Sequence, residues 1–402
     1  MTDLDIRIRA EWDTLRSVAI HEHENLEQIL SHDFHVNVYR MRDTIVNAAG
    51  QNHELYDRLV KAAHKALRVA GEKDAIIQLE KNMDNLDVDF FFNILLNPRI
   101  ESESENGKGM IHVSIVKRQP LSDIFYMRDQ QAITDKGIFL SRMSNPQRRH
   151  EPSITRILWD VLGGEVVHTV TDPGTFEGGD FIPLKDFALV GVGKQTNQSG
   201  IEQILKYGLG FDEIGVVHQP NNTLLPSDEA DPMIDMHLDT YFNIASRSVA
   251  VGLKPLLQEA MVDIYNRVGP GEYEKEKEGT NLLSYITDWG FDVVGLTTLE
   301  QLSCASNFLT VRDGTILTVE VEPDIKNVLL NLQMKAKEEP ERYGGLLTRA
   351  EMDYELLKEE SEFFPNKREL YQHGIDAYPL ILKNHNEGNC AAHRLTAALE
   401  RR

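Results

Sequence analysis

The feature that most constrains the fold is a series of short apolar runs, rich in β-branched residues, that recurs along the chain. Glycine, proline or aspartate bounds the runs, a pattern typical of strands. They occupy residues 17–20, 110–116, 188–192, 248–251, 291–296 and 315–319. Between several of them lie helical patterns, as at Ser153 to Leu162 and Ser199 to Tyr207. The alternation predicts a mixed α/β fold that uses most of the chain.

Two segments depart from this alternation and are predicted to be helical insertions in a single catalytic domain spanning residues 1–402. From about residue 25 to 95, apolar residues such as Leu55 and Leu59 recur at helical spacing. From about residue 323 to 370, a charged sequence again has a helical period, broken by Pro340. The glutamate- and serine-rich run at 101–107 is predicted to be a solvated loop.

The charge balance excludes several classes of partner. With 64 acidic and 42 basic residues the formal net charge is −22, which repels phosphate backbones and anionic lipid. Neither nucleic acid nor membrane is therefore expected as a partner, and no run approaches the 18 apolar residues of a membrane span. A negative field favours cationic small molecules, although solubility alone explains it equally well.

The chain has only two cysteines, Cys304 and Cys390, too few for a disulfide framework. Together with an N-terminus that lacks an apolar signal core, this predicts a reducing, cytoplasmic compartment. In that setting a lone cysteine near a histidine is a candidate nucleophile. Cys304, in an apolar context, is instead predicted to be a buried small hydrophobe. The early pair His21 and His23 could suggest a metal site but lacks further matching ligands, so a solvated strand end is predicted there instead.

Four short polar clusters contain the residues that can perform chemistry. Asp129 ends an apolar run, and Glu177 precedes two glycines that let the backbone bend sharply. His237 and Asp239 are two residues apart and would share one face of a strand. Cys390 ends a polar, glycine-containing turn.

Each cluster also has a purely structural interpretation. Asp129 can simply end a strand, and Glu177 beside two glycines is compatible with ordinary turn chemistry. His237 and Asp239 can be a structural hydrogen-bonded pair, and a free cysteine such as Cys390 is commonly a buried apolar residue.

Taken together, the clusters match the needs of one reaction. A guanidinium is planar and cationic, and carboxylates bind it through paired hydrogen bonds. Attack on its central carbon needs a nucleophile, a proton donor for departing ammonia and a base for water. Two aspartates, one glutamate, one histidine and one cysteine form a complete set for that chemistry.

The sequence resembles the arginine deiminase family, within the guanidine-modifying, amidinotransferase-like superfamily. Four motifs occur in the family's order: Tyr126-Met127-Arg128-Asp129, Glu177-Gly178-Gly179-Asp180, His237-Leu238-Asp239-Thr240 and Gly388-Asn389-Cys390. The resemblance covers the chain outside the two helical insertions. It implies a pentein-type, five-bladed α/β propeller with the active site in its central channel.

The resemblance also implies roles for the residues. Asp129 and Asp239 would clamp the guanidinium nitrogens, and Glu177 would orient His237. Cys390 would form a covalent thiouronium intermediate, which His237 would help water to release as a ureido product. The resemblance implies neither a metal nor an organic cofactor.

The sequence departs from the family where arginines grip the substrate's α-carboxylate. Arg148 corresponds to one of them, and Asn389, in the turn before the thiol, is also expected to contact substrate. A second arginine is replaced by Gln195, and a third by His385 or Asn386. Loss of two charge-assisted contacts, each worth about 1.5–3 kcal/mol, would weaken binding of free arginine.

Three hypotheses follow. The first is hydrolysis of a guanidinium group, in arginine or a related small-molecule guanidine, to a ureido compound and ammonia, which makes the protein a hydrolase acting on C–N bonds of amidines. The second is amidino transfer to an amine. The third is a non-catalytic family member that binds a cationic ligand or a partner protein. A homo-oligomer is compatible with all three.

Overall fold

The computed structural model describes residues 4–71, 73–83, 86–97, 99–105, 110–115, 123–220, 222, 224–225, 237–381 and 392–402. Strands and helices alternate through most of this range, so the predicted mixed α/β class is confirmed. Within the described residues, no helix is both long enough and apolar enough to span a membrane.

Thirteen α-helices lie in the described residues. They are α1 (Glu24–Gln28), α2 (Met41–Gln51), α3 (His53–Ala66), α4 (Lys73–Asn82), α5 (Val88–Leu96), α6 (Glu151–Leu162), α7 (Gln198–Tyr207), α8 (Lys254–Glu259), α9 (Leu282–Asp288), α10 (Thr298–Leu302), α11 (Glu322–Glu338), α12 (Pro340–Glu360) and α13 (Arg368–Gln372).

The strands in the described part of the chain number twenty. They are β1 (Leu15–Ile20), β2 (Asn37–Arg40), β3 (Arg68–Gly71), β4 (Arg99–Glu105), β5 (Met110–Ile115), β6 (Gln131–Thr134), β7 (Gly137–Leu140), β8 (Val166–Thr169), β9 (Phe181–Leu184), β10 (Phe187–Val192), β11 (Glu213–His218), β12 (Phe242–Ser246), β13 (Val249–Gly252), β14 (Met261–Gly269), β15 (Glu272–Asn281), β16 (Asp292–Gly295), β17 (Leu309–Arg312), β18 (Thr315–Thr318), β19 (Asp376–Pro379) and β20 (Thr396–Arg401).

One three-stranded unit recurs five times in these ranges. Two strands pair antiparallel, and a third strand, reached by a crossover that contains at least one helix, pairs parallel with the second. The units are β6–β7–β8, β9–β10–β11, β12–β13–β16, β17–β18–β19 and β20–β1–β2. The last unit takes its strands from both ends of the chain, which ties the termini into one sheet.

The middle strands explain why the apolar runs were visible in the sequence. All four residues of β13 and β18 are buried, as are five of the six in β10. A strand covered on both faces needs apolar residues at every position rather than at alternate ones. The flanking helices are amphipathic and are ended by turn chemistry, as where α6 stops at Gly163 in the left-handed conformation, φ +76°.

The five units contact one another in chain order. Strand β20 contacts β6, β6 contacts the turn at Gly178–Asp180 before β9, and β9 contacts the turn at Leu238–Thr240 before β12. Strand β12 then contacts β17, and β17 contacts β1 of the terminal sheet. Each unit therefore touches the next, and the fourth unit touches the terminal one.

The helical segments depart in part from the prediction. In the region from 25 to 95, helices are interrupted by β2 and β3, because β2 pairs parallel with β1 to complete the terminal sheet. Residues 101–105 lie in β4, so the predicted loop was wrong there. Ladder hydrogen bonds use only backbone groups, and β4 obtains them from β3 and β5. Asn106 and Gly107, the last two residues of that run, lie outside the described residues.

The second helical segment contains α11, α12 and α13, all in the crossover from β18 to β19. Apolar residues of α11 and α12, including Ile325, Leu332 and Leu346, pack in one cluster with Ile316 of β18. The single-domain organisation over 1–402 and the five-bladed arrangement stay predictions.

Candidate active site

Each of the five units is preceded by a short turn that leads into its first strand, and the candidate site residues lie on these turns. The turns at 127–130, 178–180, 238–240, 303–306 and 392–395 precede β6, β9, β12, β17 and β20. Asp129 lies on the first, Glu177 and His237 directly precede the second and third, and Asp239 lies on the third. The repeat of the fold therefore gathers polar residues that are far apart in sequence.

Hydrogen bonds join these turns in a closed order. Asp129 O accepts from the Gly178 N–H at 3.0 Å, and Asp180 Oδ1 accepts from the Leu238 N–H at 3.0 Å. The circuit continues from Asp239 O to Ser306 Oγ (3.3 Å), from Asn307 Oδ1 to Arg394 N (3.1 Å), and from Arg394 O to Arg128 N (3.1 Å). The positions of the site residues are thus fixed mainly by backbone groups.

The two glycines after Glu177 permit the close approach of the first three turns. A Cβ on Gly178 would lie 2.0 Å from Gln131 O, and one on Gly179 would lie 2.7 Å from the His237 ring. Both distances are far below van der Waals contact, so any side chain here would push the turns apart. The Glu-Gly-Gly-Asp motif is therefore a packing requirement of the site.

His237 lies between two carboxylates in the buried centre of the site. Its Nε2 is 2.9 Å from Glu177 Oε2, and its Nδ1 is 3.7 Å from Asp129 Oδ1. The other oxygen of Glu177 accepts hydrogen bonds from the Ser144 N–H (2.8 Å) and Oγ (2.9 Å), which fixes the carboxylate. This arrangement orients the imidazole ring and stabilises its protonated form.

The pKa of His237 follows from these neighbours. Burial by itself lowers the pKa, but the charge of Asp129, the hydrogen bond with Glu177 and the charge of Asp180 outweigh burial and raise it to about 10. Burial raises the pKa of Glu177, yet the hydrogen bond and charge of His237 hold it below its ordinary value. At neutral pH the pair is therefore an imidazolium and a carboxylate.

Asp129 is fully buried and binds two arginines through one oxygen. Its Oδ2 accepts from Arg148 Nη1 at 2.9 Å and from Arg394 Nε at 3.2 Å. Although burial raises the pKa of Asp129, the charges of Arg394, His237 and Arg148 keep it well below its ordinary range. The guanidinium of Arg394 also lies over the Tyr126 ring, 4.2 Å from the centroid.

Arg148, predicted to grip a substrate carboxylate, is buried and engaged by protein groups. Its Nε and Nη2 donate to Glu151 at 2.9–3.1 Å, Nη2 also donates to Asp123 O, and Nη1 donates to Asp129. All three nitrogens therefore have acceptors within the protein. The predicted role of Arg148 in binding substrate stays a prediction.

Asp239 is held by a histidine that follows the predicted nucleophile. His393 Nδ1 lies 2.8 Å from Asp239 Oδ2, and both residues are buried. The second oxygen of Asp239, Oδ1, has no hydrogen bond to a described residue, and the same is true of Asp129 Oδ1. Buried carboxylate oxygens are normally satisfied, so two such oxygens on the two predicted clamp residues indicate acceptors for a ligand.

Gln195 lies near the second and third turns of the site. Together with Asp180, Gly193 and Leu238 it lines a small cavity. Asp180 is held by the Thr196 hydroxyl at 2.6 Å, and burial raises its pKa to about 7 despite the nearby charge of His237. The predicted contact of Gln195 with substrate stays a prediction.

One group among the described residues has the spacing of a metal site. Ligand atoms of Asp129, Glu177 and His237 lie within 4.8 Å of one another. The carboxylates, however, already accept hydrogen bonds from Ser144, His237 and two arginines, so of their four oxygens only Asp129 Oδ1 lacks a hydrogen bond to a described residue. A metal ion would have to displace several of these contacts, whereas an N–H donor needs only that oxygen.

The structure brings together most, but not all, of the predicted residues. Asp129, Glu177, His237 and Arg148 form one connected cluster, and Asp239 joins it through the turn that follows His237. The catalytic candidate Cys390, the substrate-binding candidate Asn389, and His385 and Asn386 lie outside the described residues. The strand predicted for His237 to Asp239 was wrong, because Leu238–Thr240 forms a 3-10 turn.

Sequence reasoning missed several residues of the site. His393 and Arg394 bind the two aspartates, and Glu11 lies behind them, paired with Arg128 at 2.6 Å. A signal existed for the first two, since a polar pair directly before an apolar strand recurs where Asp129 and Asp239 stand. Glu11 has no such signal, because its partners lie more than 100 residues away.

Cys304 is buried, as predicted, whereas the solvated strand end predicted for His21 is wrong, because this side chain is buried. Cys304 is buried on the fourth turn with φ +58°. His21 is buried against Phe125, with ring centroids 4.4 Å apart, and the His23 side chain accepts the N-terminal hydrogen bond of α1.

Several curated proteins are similar to this chain in sequence. The arginine deiminase of Halobacterium salinarum is 27% identical over 278 residues, 54% of this chain and 57% of that protein. The arginine deiminase of Limosilactobacillus reuteri is 25% identical over 226 residues, half of this chain and 52% of the relative. The uncharacterized protein YkgA of Bacillus subtilis is 28% identical over 171 residues, 42% of this chain and 54% of that protein. The matches span just over half the length of these relatives.

Solved structures give weaker likenesses. The N-terminal domain of ArgZ, an arginine dihydrolase from the ornithine-ammonia cycle in cyanobacteria, was solved with bound substrate. It has a TM-score of 0.45 and 13% identity, covering 82% of this chain and 88% of that one. The DDAH of Pseudomonas aeruginosa, in complex with citrulline, has a TM-score of 0.41 and 14% identity over 70% and 77% of the two chains. At these TM-scores neither likeness supports a functional conclusion.

The family model described as arginine deiminase matches residues 14–333. This range is well over half of the 402 residues and contains the first three motifs. It ends before Cys390, so the predicted nucleophile lies outside the match. On the extent of this match, the chain belongs to the arginine deiminase family.

Proposed function

We propose that this protein hydrolyses the guanidinium group of a small-molecule guanidine, giving a ureido product and ammonia. The observation that carries the proposal is a pair of carboxylate oxygens, Asp129 Oδ1 and Asp239 Oδ1, that lack a hydrogen bond to any described residue. Both side chains are 0% exposed, and leaving a buried carboxylate oxygen without a donor is costly. A planar cation with several N–H groups would satisfy both oxygens, and a guanidinium is such a cation.

The charge state of His237 suits the first half of the reaction. The thiolate of Cys390 adds to the guanidinium carbon, and a C–N bond then breaks as His237 gives its proton to the departing nitrogen. Since its pKa is raised to about 10, His237 carries that proton at neutral pH. The products of this half-reaction are ammonia and a thiouronium bound to Cys390.

The second half uses the histidine that the first half has deprotonated. Neutral His237, still oriented by Glu177 at 2.9 Å, accepts a proton from water as the water oxygen attacks the thiouronium carbon. The C–S bond then breaks as the second proton of the water passes to solvent, the ureido product leaves, and the thiolate and the imidazolium are restored. The balance is one guanidinium and one water for one ureido compound, one ammonia and one proton, and the last two combine as ammonium at neutral pH.

Chain connectivity supports Cys390 as the nucleophile. Only two residues separate it from His393, whose ring is 2.8 Å from Asp239. The thiol thus belongs to the stretch of chain that leads directly into the fifth turn of the site.

We also propose that the five units are the blades of a propeller around this site. Their contacts in chain order, and the closed order of hydrogen bonds among the five turns, support a ring. In such a ring the turns before the first strands would line one central channel.

The test is turnover of a guanidine with two matched cysteine variants. Purified protein is incubated with arginine and with guanidines that lack an α-carboxylate, while ammonia and the ureido product are both measured. We expect the wild type and Cys304→Ala each to release ammonia and the ureido product in equimolar amounts. Cys390→Ala is expected to release neither product. Ammonia release that persists in Cys390→Ala would refute the mechanism, and a dependence on added amine with little ammonia would indicate amidino transfer instead.

A second measurement separates catalysis from binding. In Cys390→Ala, guanidine binding measured by calorimetry is expected to persist, because Asp129 and Asp239 are intact. Binding to Cys390→Ala together with an inert wild type would favour a non-catalytic family member.

A further inference from the structure

Two consecutive residues after the predicted nucleophile each bind one of the two clamp carboxylates. His393 Nδ1 lies 2.8 Å from Asp239 Oδ2, and Arg394 Nε donates to Asp129 Oδ2 at 3.2 Å. Both contacts leave the Oδ1 atom of the aspartate without a hydrogen bond to a described residue. The fifth turn therefore takes one oxygen of each carboxylate and leaves the other for a ligand.

The two contacts differ in how firmly they are enclosed. The His393 side chain is 1% exposed and that of Arg394 is 16% exposed. The Asp129 side chain accepts from two residues, Arg394 and Arg148, through the same oxygen. Among the described residues, the Asp239 side chain has one donor, His393, so its orientation depends on that single side chain.

The backbone around His393 fixes the ring in place. The His393 N–H donates to Asn307 O at 3.3 Å, and the following Arg394 N–H donates to Asn307 Oδ1 at 3.1 Å. The Asn307 side chain also approaches Asp239 O, with Nδ2 at 3.5 Å. Histidine and aspartate are therefore held against the same asparagine, which makes the contact between them part of the turn geometry.

The far side of the ring faces a second buried carboxylate. His393 Nε2 is 3.6 Å from Glu11 Oε1, which is too long for a hydrogen bond. Glu11 is itself paired with Arg128 at 2.6 Å and with Arg401 at 3.2 Å. A carboxylate anchored by two arginines therefore lies close to the Nε2 edge of the ring, while Nδ1 contacts Asp239.

We propose that His393 is a positioning residue for guanidinium binding, which holds Asp239 so that Oδ1 is presented to a substrate N–H. The inference rests on the proposed function and assigns a role that the family motifs do not carry. Pinning one oxygen stops rotation of the carboxylate, so the free oxygen keeps one direction in the site. His393 itself would not touch the substrate, and its effect would pass through Asp239.

The test compares two substitutions that differ in one hydrogen-bond donor. His393→Asn keeps an N–H near the position of Nδ1, whereas His393→Leu has similar bulk and no donor. We expect His393→Leu to raise KM for the guanidine by about tenfold or more, because a charge-assisted contact that orients the carboxylate is lost. His393→Asn is expected to stay within about threefold of wild type, with kcat changed less than KM in both variants.

A buried histidine elsewhere is the control for loss of an imidazole. His21 is 5% exposed, and neither of its ring nitrogens has a hydrogen bond to a described residue, so His21→Leu is expected to leave KM unchanged. Thermal unfolding of all variants shows which are folded. For any variant too unstable to assay, calorimetry on the Cys390→Ala background at low temperature measures guanidine binding directly.

The outcomes separate this inference from the proposed function. An active wild type with equal KM values for His393→Leu, His393→Asn and the native protein would overturn the role of His393 alone. A folded His393→Asn that is as impaired as His393→Leu would do the same, because rescue by the retained donor would have failed. A wild type that neither turns over nor binds any guanidine would overturn the proposed function and, with it, this inference.

Discussion

The two aspartates of the site, Asp129 and Asp239, are alike in geometry and opposite in electrostatic setting. Each is 0% exposed, has one oxygen engaged and has one oxygen without a hydrogen bond to a described residue. Asp129, however, faces three cationic groups, those of Arg148, Arg394 and His237, whereas Asp239 pairs with His393. The same ligand-binding feature is therefore built in two different ways.

The difference indicates a division of work between the carboxylates. The Asp129 carboxylate already contacts three cationic side chains of the protein. Its charge raises the pKa of His237 more than any other neighbouring group does. Among the described residues, the Asp239 carboxylate contacts the side chain of His393 alone, so fewer protein cations compete with a ligand for it. We infer that Asp129 mainly sets the charge of the catalytic histidine, while Asp239 contributes more of the attraction for the guanidinium.

The largest expected difference is in stability. Asp129→Asn would leave buried cations without their counter-charge, a change that costs about 3–5 kcal/mol when a buried ion pair loses one partner. Asp239→Asn would weaken one contact with His393, at about 1–3 kcal/mol. Urea unfolding of the two variants measures the free energies of unfolding. Equal losses of unfolding free energy in Asp129→Asn and Asp239→Asn would show that the cations around Asp129 do not need its charge for stability.

The next comparison concerns the two arginines on Asp129. Arg148→Lys loses the two-nitrogen contact with Glu151 as well as a planar contact with Asp129, and we expect a loss of about 2–3 kcal/mol in unfolding free energy. Arg394→Lys keeps a charge at a more exposed position and is expected to cost about 1 kcal/mol or less. Urea unfolding checks both values. The reverse order would mean that Arg394 is the main anchor of Asp129.

The sequence predicted the strands and the central polar residues for a physical reason. Strands such as β13 and β18 are buried on both faces, so their apolar runs are continuous and easy to recognise. Asp129, Glu177 and His237 were found because each lies on or directly before a turn, within a motif of consecutive residues. Local patterns of this kind carry the information that the sequence alone reveals.

Other features depend on contacts between distant residues and were not predictable in this way. Strand β4 has a charged sequence that resembles a loop, and its backbone pairing with β3 and β5 decides its structure. The guanidinium of Arg148 is engaged by Glu151 and Asp129, and its predicted contact with substrate stays a prediction. Which acceptors an arginine binds depends on how the turns pack together, and the spacing of residues in the sequence does not show this packing.

A third prediction concerns the pKa of His237. The Asp129 charge is the largest of the influences that raise this pKa to about 10, so Asp129→Asn is expected to lower it by about one unit or more. Asp239→Asn is the matched control and should leave it nearly unchanged. The measurement is an NMR titration of the histidine resonances, with the His237 signal assigned by its loss in His237→Gln.

The same shift predicts a dependence of stability on pH. Because the folded-state pKa of about 10 lies above the ordinary value of 6.5, protonation of His237 stabilises the fold. This contribution is fully present below about pH 6.5 and is lost as the pH rises through about 10. The free energy of unfolding should therefore fall over that window in the wild type, and less steeply in His237→Gln. Identical slopes for the two proteins would contradict the assignment.

The smallest expected effect concerns the rest of the substrate. The three nitrogens of Arg148 have acceptors in Asp129, Glu151 and Asp123, which leaves this arginine poorly placed to bind a substrate carboxylate. We therefore expect kcat/KM for arginine and for decarboxylated arginine to differ by less than about tenfold, which is less than one charge-assisted hydrogen bond would give. Steady-state kinetics with both compounds measure the ratio. A preference for arginine of a hundredfold or more would show that a cation of this protein binds the α-carboxylate, and loss of that preference in Arg148→Lys would identify Arg148 as that cation.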